Sequence, residues 1–105
     1  MNFDILYKDE HILAIYKPPG YFVHRTKLDY QADQLVMPIL RDQIGQKVYP
    51  VHRLDRKTSG VLLMALDVET QKSVNDMFMN GSVKKTYQAI VRGWAIDDFE
   101  IDYAL

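Results

Sequence analysis

Short hydrophobic runs broken by polar turns open the chain and predict strands. Ile5–Tyr7 and Ile12–Tyr16 are apolar and aromatic, residues 8–11 between them are polar, and Lys-Pro-Pro-Gly follows at residues 17–20. Two extended runs joined by a polar turn and ended by proline and glycine are typical of a β-hairpin. The aromatic and basic residues 21–32 show no period and are expected to form a loop.

Helical spacing appears in the next segment. The apolar residues between positions 35 and 44 recur every three or four residues, and Gly45 follows as the expected C-terminal cap. Because proline lacks the N–H that an interior helical position donates, Pro38 restricts this helix to beginning near it or bending there.

A buried strand followed by a second helix is predicted from residue 61 onward. Val61–Leu66 is the longest apolar run of the chain, and Asp67 after it is a typical N-terminal helix cap. The helix is expected to run to about Asn80 and to end at Gly81. Three of its residues are expected to face the core: Val74, Met77 and Phe78.

Side chains alternate between two faces in two segments near the C-terminus. Val83–Arg92 alternates over its whole length and predicts a long strand, and Phe99–Leu105 predicts another strand that the chain end cuts off. A terminus inside a strand pattern suggests that the sequence is a piece of something longer. Extended segments with two helices predict the α+β class.

Composition narrows the class of protein. The 105 residues argue for one compact unit, and 48% hydrophobic with 26% charged residues is close to the globular average. Without cysteine there are no disulfides, thiolate nucleophiles or cysteine zinc sites, which fits a reducing cytoplasm. The longest apolar run is far shorter than the about 20 residues that a membrane-spanning helix needs. The N-terminal segment has no basic leader before an apolar stretch and is therefore not expected to be a signal peptide.

Charge is distributed unevenly. Residues 94–105 hold four acidic and no basic side chains, so residues 1–93 hold 13 basic and 10 acidic ones. This excess is a weak indication of a polyanionic partner, and a solvated basic face is the alternative.

The densest chemistry lies in HRLDRKTSG, residues 52–60, directly before the buried strand. Asp55 stands between Arg53 and Arg56, where positive charge would keep a carboxylate ionised for work as a nucleophile or base. The alternative is a turn aspartate that only accepts backbone hydrogen bonds. No kinase loop, nucleotide-binding glycine loop or metal-ligand spacing of histidines can be written from the sequence.

Three segments together resemble the RluA-type pseudouridine synthases. Residues 52–65, HRLDRKTSGVLLMA, resemble the catalytic motif of that family. Residues 17–20 with His24 resemble its Lys-Pro-x-Gly loop, and residues 84–93, KKTYQAIVRG, resemble its Lys-x-Tyr-x-Ala-x-Val-x-Gly strand. Details at residues 41–46 and 92–94 are similar to the branch that acts on uridine 65 of tRNA.

The resemblance implies an isomerase that converts uridine to pseudouridine in tRNA and needs no cofactor or metal. Its expected fold is α+β, with a mixed, largely antiparallel sheet and two flanking helices. Asp55 would be the catalytic carboxylate, acting as base or nucleophile on the ribose or adding to the uracil ring. Arg53 would fill the place of the extracted base, and Tyr87 would pack against uracil and remove the proton from carbon 5. Further residues expected to bind substrate or RNA are Lys17, His24, His52, Arg56, Thr58 and Lys85.

Several alternatives stay open at this point. Tyr87 lies on the more apolar face of its predicted strand and could be a core aromatic, and residues 17–20 could only stop a strand. A non-catalytic RNA-binding module on the same scaffold would explain the basic clusters equally well, and a small α+β interaction domain is a third hypothesis.

Length is the departure from the family, whose catalytic domain is very roughly twice this size. Residues 1–105 are expected to be the N-terminal portion of one catalytic domain. Taken alone they are expected to be inactive and to self-associate through an exposed sheet edge.

Overall fold

A computed structural model of the protein describes residues 2–23, 35–94 and 100. Within these residues, four strands and two helices follow one another along the chain. They are β1 (Ile5–Lys8), β2 (Ile12–Lys17), α1 (Val36–Ile44), β3 (Tyr49–Pro50), β4 (Gly60–Ala65) and α2 (Val68–Met79). The predicted α+β class is confirmed.

One antiparallel sheet organises the fold, with strand order β1-β2-β4-β3. β1 and β2 form the predicted hairpin, whose turn is closed by the Asp9 carboxylate accepting from the N–H groups of His11 and Ile12, both at 2.8 Å. β4 pairs with β2 over its full length, and Lys17 lies opposite Gly60. This register places the loop after β2 beside the loop that precedes β4.

The core lies on one face of the sheet, beneath α1. The inward residues of β2 and β4 alternate with outward ones as the pleat requires, and α1 adds residues one turn apart. α1 has Pro38 in its first turn, where no intrahelical bond is lost, and ends at Gly45, whose φ of 72° is that of a left-handed cap. The fully buried apolar residues of these elements are Leu13, Ile15, Leu62, Met64, Val36 and Leu40.

The junction of β4 and α2 follows the prediction. Asp67 is the N-cap of α2, and its carboxylate accepts from the backbone N–H of Thr70 at 2.7 Å. The same carboxylate lies 3.1 Å from Nδ1 of His11 in the hairpin turn. One side chain therefore starts α2 and connects it to the turn between β1 and β2.

Replacing Asp67 with Ala is expected to lower the Tm of the full-length protein by about 2–5 °C, because the first turn of α2 loses its acceptor. Asp67→Asn keeps an acceptor and is the matched control. The pKa of Asp67 lies below its ordinary 3.8, mainly because of the hydrogen bond from the Thr70 N–H and secondly because of His11. The stabilisation is thus present above that value and disappears as the pH falls through the lowered pKa. A calorimetric Tm equal in the Ala variant and the wild type at neutral pH would contradict this role.

Three predictions about single elements are not met. The two-residue strand β3 is absent from the sequence prediction. Met77 of α2 is 46% exposed, and Val74 and Phe78 are half-buried outside the core cluster, so the expected place of these three residues in the core is wrong. Val83–Arg92 forms no strand, because alternation alone does not supply the ladder hydrogen bonds of a neighbour, and within the described residues none pairs with it.

Two further sequence predictions concern a C-terminal strand and the absence of a membrane-spanning helix. The predicted strand Phe99–Leu105 lies outside the described residues except for Glu100. Neither helix of the described part of the chain is long and apolar enough to pass through a bilayer.

Candidate active site

Residues 52–59, here named the Asp55 loop, connect β3 to β4. Leu54 in the middle of the loop is buried in the hydrophobic core. Its neighbours Arg53 and Asp55 are exposed. Burial of one leucine therefore directs the side chains on either side of it away from the core.

Lys17 lies beneath the Asp55 loop and is fully buried at the end of β2. Its ammonium donates to three backbone carbonyls, those of Pro18 at 3.1 Å, Arg56 at 3.1 Å and Thr58 at 2.7 Å. An ammonium group has three N–H donors, so every one has a partner inside the protein. Burial lowers the pKa of Lys17, and the negative charge of Asp55 acts in the opposite direction.

Backbone hydrogen bonds complete the loop. The N–H of Gly20 donates to the carbonyl of Arg56 at 2.7 Å, and the N–H of Thr58 donates to the backbone carbonyl of Asp55 at 3.0 Å. The turn thus uses the main chain of Asp55. Its carboxylate forms no hydrogen bond or ion pair with another described residue, in contrast to the turn-only alternative.

His52 attaches the start of the loop to the sheet and to α2. Its Nε2 accepts from the backbone N–H of Leu63 in β4 at 3.0 Å, and its ring stacks on Phe78, with 4.9 Å between centroids. Chiefly burial, and then the positive charge of Lys85, lower the pKa of His52, while the backbone of Arg53 raises it.

A cleft of about 950 Å³ opens beside the loop, which is within the size range of ligand sites. The Asp55 loop, the first half of β4, Phe78 and residues 83–88 line it. Tyr87 lies in this wall with its side chain 59% exposed, so it is not packed in the core of the described part of the chain.

The structure brings some of the predicted site residues together and separates others. His52, Thr58, Lys85 and Tyr87 all line the cleft. The exposed Arg53, Asp55 and Arg56 do not line it, so the cleft lining includes Tyr87 and leaves out Asp55. His24 lies outside the described residues.

Exposed cations lie on the Asp55 loop and on the segment across the cleft. Arg56 has its guanidinium 5.5 Å from the ring centre of Phe22, and Lys85 has its ammonium 5.8 Å from that of Phe78. Such stacking orients cations without neutralising them. The exposed cations of the loop and of the segment across the cleft are Arg53, Arg56, Lys57, Lys84 and Lys85.

Comparison with known proteins identifies the family of the chain. The family model described as RNA pseudouridylate synthase matches residues 11–104. The chain belongs to this family. That match includes β2, the Asp55 loop, both helices and the cleft-lining segment.

Relatives within the RNA pseudouridylate synthase family share about half of the residues. A protein named tRNA pseudouridine synthase C from Vibrio vulnificus (strain CMCP6) is 54% identical over 97% of this chain and 42% of its own length. One of the same name from Pectobacterium carotovorum subsp. carotovorum is 53% identical over 97% of this chain and 27% of its own. The chain therefore spans less than half the length of these relatives.

A solved structure supports the same family. Human RNA Pseudouridylate Synthase Domain Containing 4 matches with a TM-score of 0.60 and 31% sequence identity. The match covers 75% of this chain and 30% of the human one.

Four contributors to the candidate site are absent from the sequence prediction. Phe22, Leu54, Leu63 and Phe78 act through an aromatic ring, a buried side chain or a backbone N–H. Phe78 carries a usable signal, since its helical spacing predicts that it faces inward, but the spacing does not show that it faces a histidine. The N–H of Leu63 has no sequence signal at all.

Proposed function

We propose that the full-length protein containing this chain is an RNA pseudouridine synthase that isomerises uridine in tRNA. The observation that carries the proposal is the construction of the Asp55 loop. A buried ammonium group, that of Lys17, binds the loop carbonyls from below, while the Asp55 carboxylate remains exposed and unpaired among the described residues. The names of the relatives support tRNA as the substrate class.

The reaction needs one positioned carboxylate and a base that is out of its stack. In it the bond between ribose and uracil nitrogen 1 breaks, the uracil turns, and its carbon 5 bonds to the ribose. Carbon 5 then loses its proton, and nitrogen 1 gains one. Asp55 starts the reaction, as a base or nucleophile on the ribose or by adding to the ring. Arg53 takes the place of the extracted base, and Tyr87 packs against uracil and accepts the carbon 5 proton.

Binding of the phosphate backbone is assigned to the exposed cations around the loop. Arg56 and Lys85 are held on aromatic rings and direct positive charge outward. Thr58 and His24 remain predicted RNA contacts. Since all three N–H groups of Lys17 are occupied within the protein, we propose that Lys17 positions the loop instead. As a tRNA-modifying enzyme, the protein would act in the cytoplasm.

The 105 residues are proposed to form the N-terminal portion of one catalytic domain and to be inactive without the remainder. Two features support this: Asp55 does not line the cleft that Tyr87 lines, and Ile90, Val91 and Trp94 are largely exposed. The isolated chain is expected to self-associate through its exposed strand edge. Light scattering that shows a clean monomer at high concentration would contradict the last point.

The choice of tRNA position is tested with two transcripts. The full-length protein is expected to form one pseudouridine in a tRNA transcript with uridine 65 and none in the same transcript with cytidine 65. Nucleoside analysis by mass spectrometry measures the product. Equal pseudouridine from both transcripts would place the modified uridine elsewhere in the tRNA and leave the reaction type unchanged.

A further inference from the structure

The cleft wall contains a histidine whose contacts show what its ring does. His52 starts the Asp55 loop, three residues before the carboxylate. Its Nε2 lies 3.0 Å from the backbone nitrogen of Leu63, a donor that cannot accept a hydrogen bond. Nε2 must therefore carry a lone pair, and the proton of the neutral imidazole lies on Nδ1.

The bond to Leu63 replaces a missing ladder contact. β3 pairs with β4 only through Tyr49 opposite Ala65 and Pro50 opposite Met64. In an antiparallel pair the next residue of β3, at position 51, would face Leu63. Instead the ring of His52 accepts from the Leu63 N–H, so a side chain continues the edge that the two-residue strand leaves open.

Stacking fixes the ring in a second direction. Phe78 of α2 lies against it at 4.9 Å with an interplanar angle of 21°. Three separate parts of the fold, the Asp55 loop, β4 and α2, thus meet at one imidazole. We propose that His52 is a positioning residue that fixes the Asp55 loop to the sheet edge and does so only as the neutral Nδ1–H tautomer. The proposal rests on the proposed function, because the loop that it fixes is the one that carries Asp55.

The charged surroundings favour the neutral ring. β4 presents the uncharged N–H of Leu63, and α2 presents the uncharged ring of Phe78. The segment across the cleft presents the ammonium of Lys85, which favours the neutral ring, whereas the backbone of Arg53 in the loop itself raises the pKa of His52 and partly opposes burial and Lys85. Protonated Nε2 would face the Leu63 N–H with a second donor, so protonation breaks the bond.

Acid should therefore release the loop. The pKa of His52 lies below the ordinary 6.5, with burial as the largest cause. Between the lowered value and 6.5 the unfolded chain binds more protons than the folded one, so stability falls as the pH drops below 6.5. The fraction of molecules with a fixed loop falls only as the pH passes through the lowered pKa.

The experiment compares two variants of the full-length protein at saturating tRNA. Gln at position 52 can accept from the Leu63 N–H through its amide oxygen and does not titrate. Phe can stack on Phe78 and cannot accept. The ratio of kcat in His52→Gln to kcat in the wild type is expected to rise at least about twofold as the pH falls from about pH 8 through the acid limb of the wild-type profile. His52→Phe is expected to be roughly tenfold to a hundredfold slower at every pH.

Each other result overturns the proposal. A His52→Gln ratio that is constant with pH shows that the acid loss comes from another group, and wild-type kcat in His52→Phe shows that the bond does not position the loop. If the Phe variant does not fold, the pH dependence of the Gln variant still decides.

A second measurement separates this proposal from the proposed function. Nitrogen-15 NMR of the histidine rings of the full-length protein is expected to show His52 as the Nδ1–H tautomer with a lowered pKa. If no turnover occurs at any pH, the proposed function has failed and the spectrum alone decides on the bond. An Nε2–H tautomer would overturn the positioning role in either case.

Discussion

Replacing Asp55 with Asn in the full-length protein is expected to lower the rate of pseudouridine formation at least about a thousandfold. The amide is nearly isosteric, but it is a far weaker base and nucleophile than a carboxylate. The turn should survive, because the Thr58 N–H bonds the backbone carbonyl of Asp55 and not its side chain. Affinity for tRNA should therefore stay within about twofold of the wild type.

Asp42→Asn is the matched control, since Asp42 is an exposed aspartate of α1 remote in sequence from the loop. Single-turnover kinetics and a tRNA binding titration on the same preparations separate chemistry from binding. Turnover in Asp55→Asn within tenfold of the wild type would remove Asp55 from the chemistry. A wild-type protein that binds tRNA and converts none would favour the non-catalytic RNA-binding module.

Replacing Lys17 with Met is expected to lower the free energy of unfolding by about 2–4 kcal/mol. The carbonyls of Pro18 and Thr58 lose the bonds from Lys17, whereas the carbonyl of Arg56 keeps the N–H of Gly20. Removing a buried charge offsets part of this loss, because the ammonium was costly to desolvate. The loosened loop should also slow turnover roughly tenfold to a hundredfold.

Lys8→Met is the control, because Lys8 is an exposed lysine at the end of β1. Urea unfolding of both variants measures the difference in stability. A Lys17→Met protein as stable as the control would show that the three carbonyl bonds contribute nothing net. Loss of tRNA affinity with unchanged stability would return Lys17 to the RNA-binding residues.

Local signals account for the parts of the fold that were predicted correctly. The hairpin, the Gly45 end of α1 and the Asp67 start of α2 each depend on residues within a few positions of one another. The predicted strand Val83–Arg92 fails for the converse reason, since a ladder requires a neighbour that alternation does not specify. β3, with two residues, is too short for any periodicity to show.

The candidate site also has features that are encoded locally and features that depend on contacts between distant residues. The motif at residues 52–60 predicts the loop and the carboxylate, because the chemistry there is concentrated in sequence. The role that we infer for Lys17 depends on bonds to residues 39 and 41 positions away, and that of His52 on a backbone N–H 11 positions away. A basic or aromatic side chain in a motif predicts that it matters, but only the folded contacts show whether it faces RNA or the protein.

Tritium release from tRNA labelled at carbon 5 of uracil tests the central claim most directly, because that carbon loses its hydrogen only when it joins the ribose. The full-length wild-type protein is expected to release tritium over many turnovers, and the isolated 105 residues are expected to release none. A folded full-length protein that binds tRNA and releases no tritium would contradict the assignment of pseudouridine synthesis to the Asp55 loop.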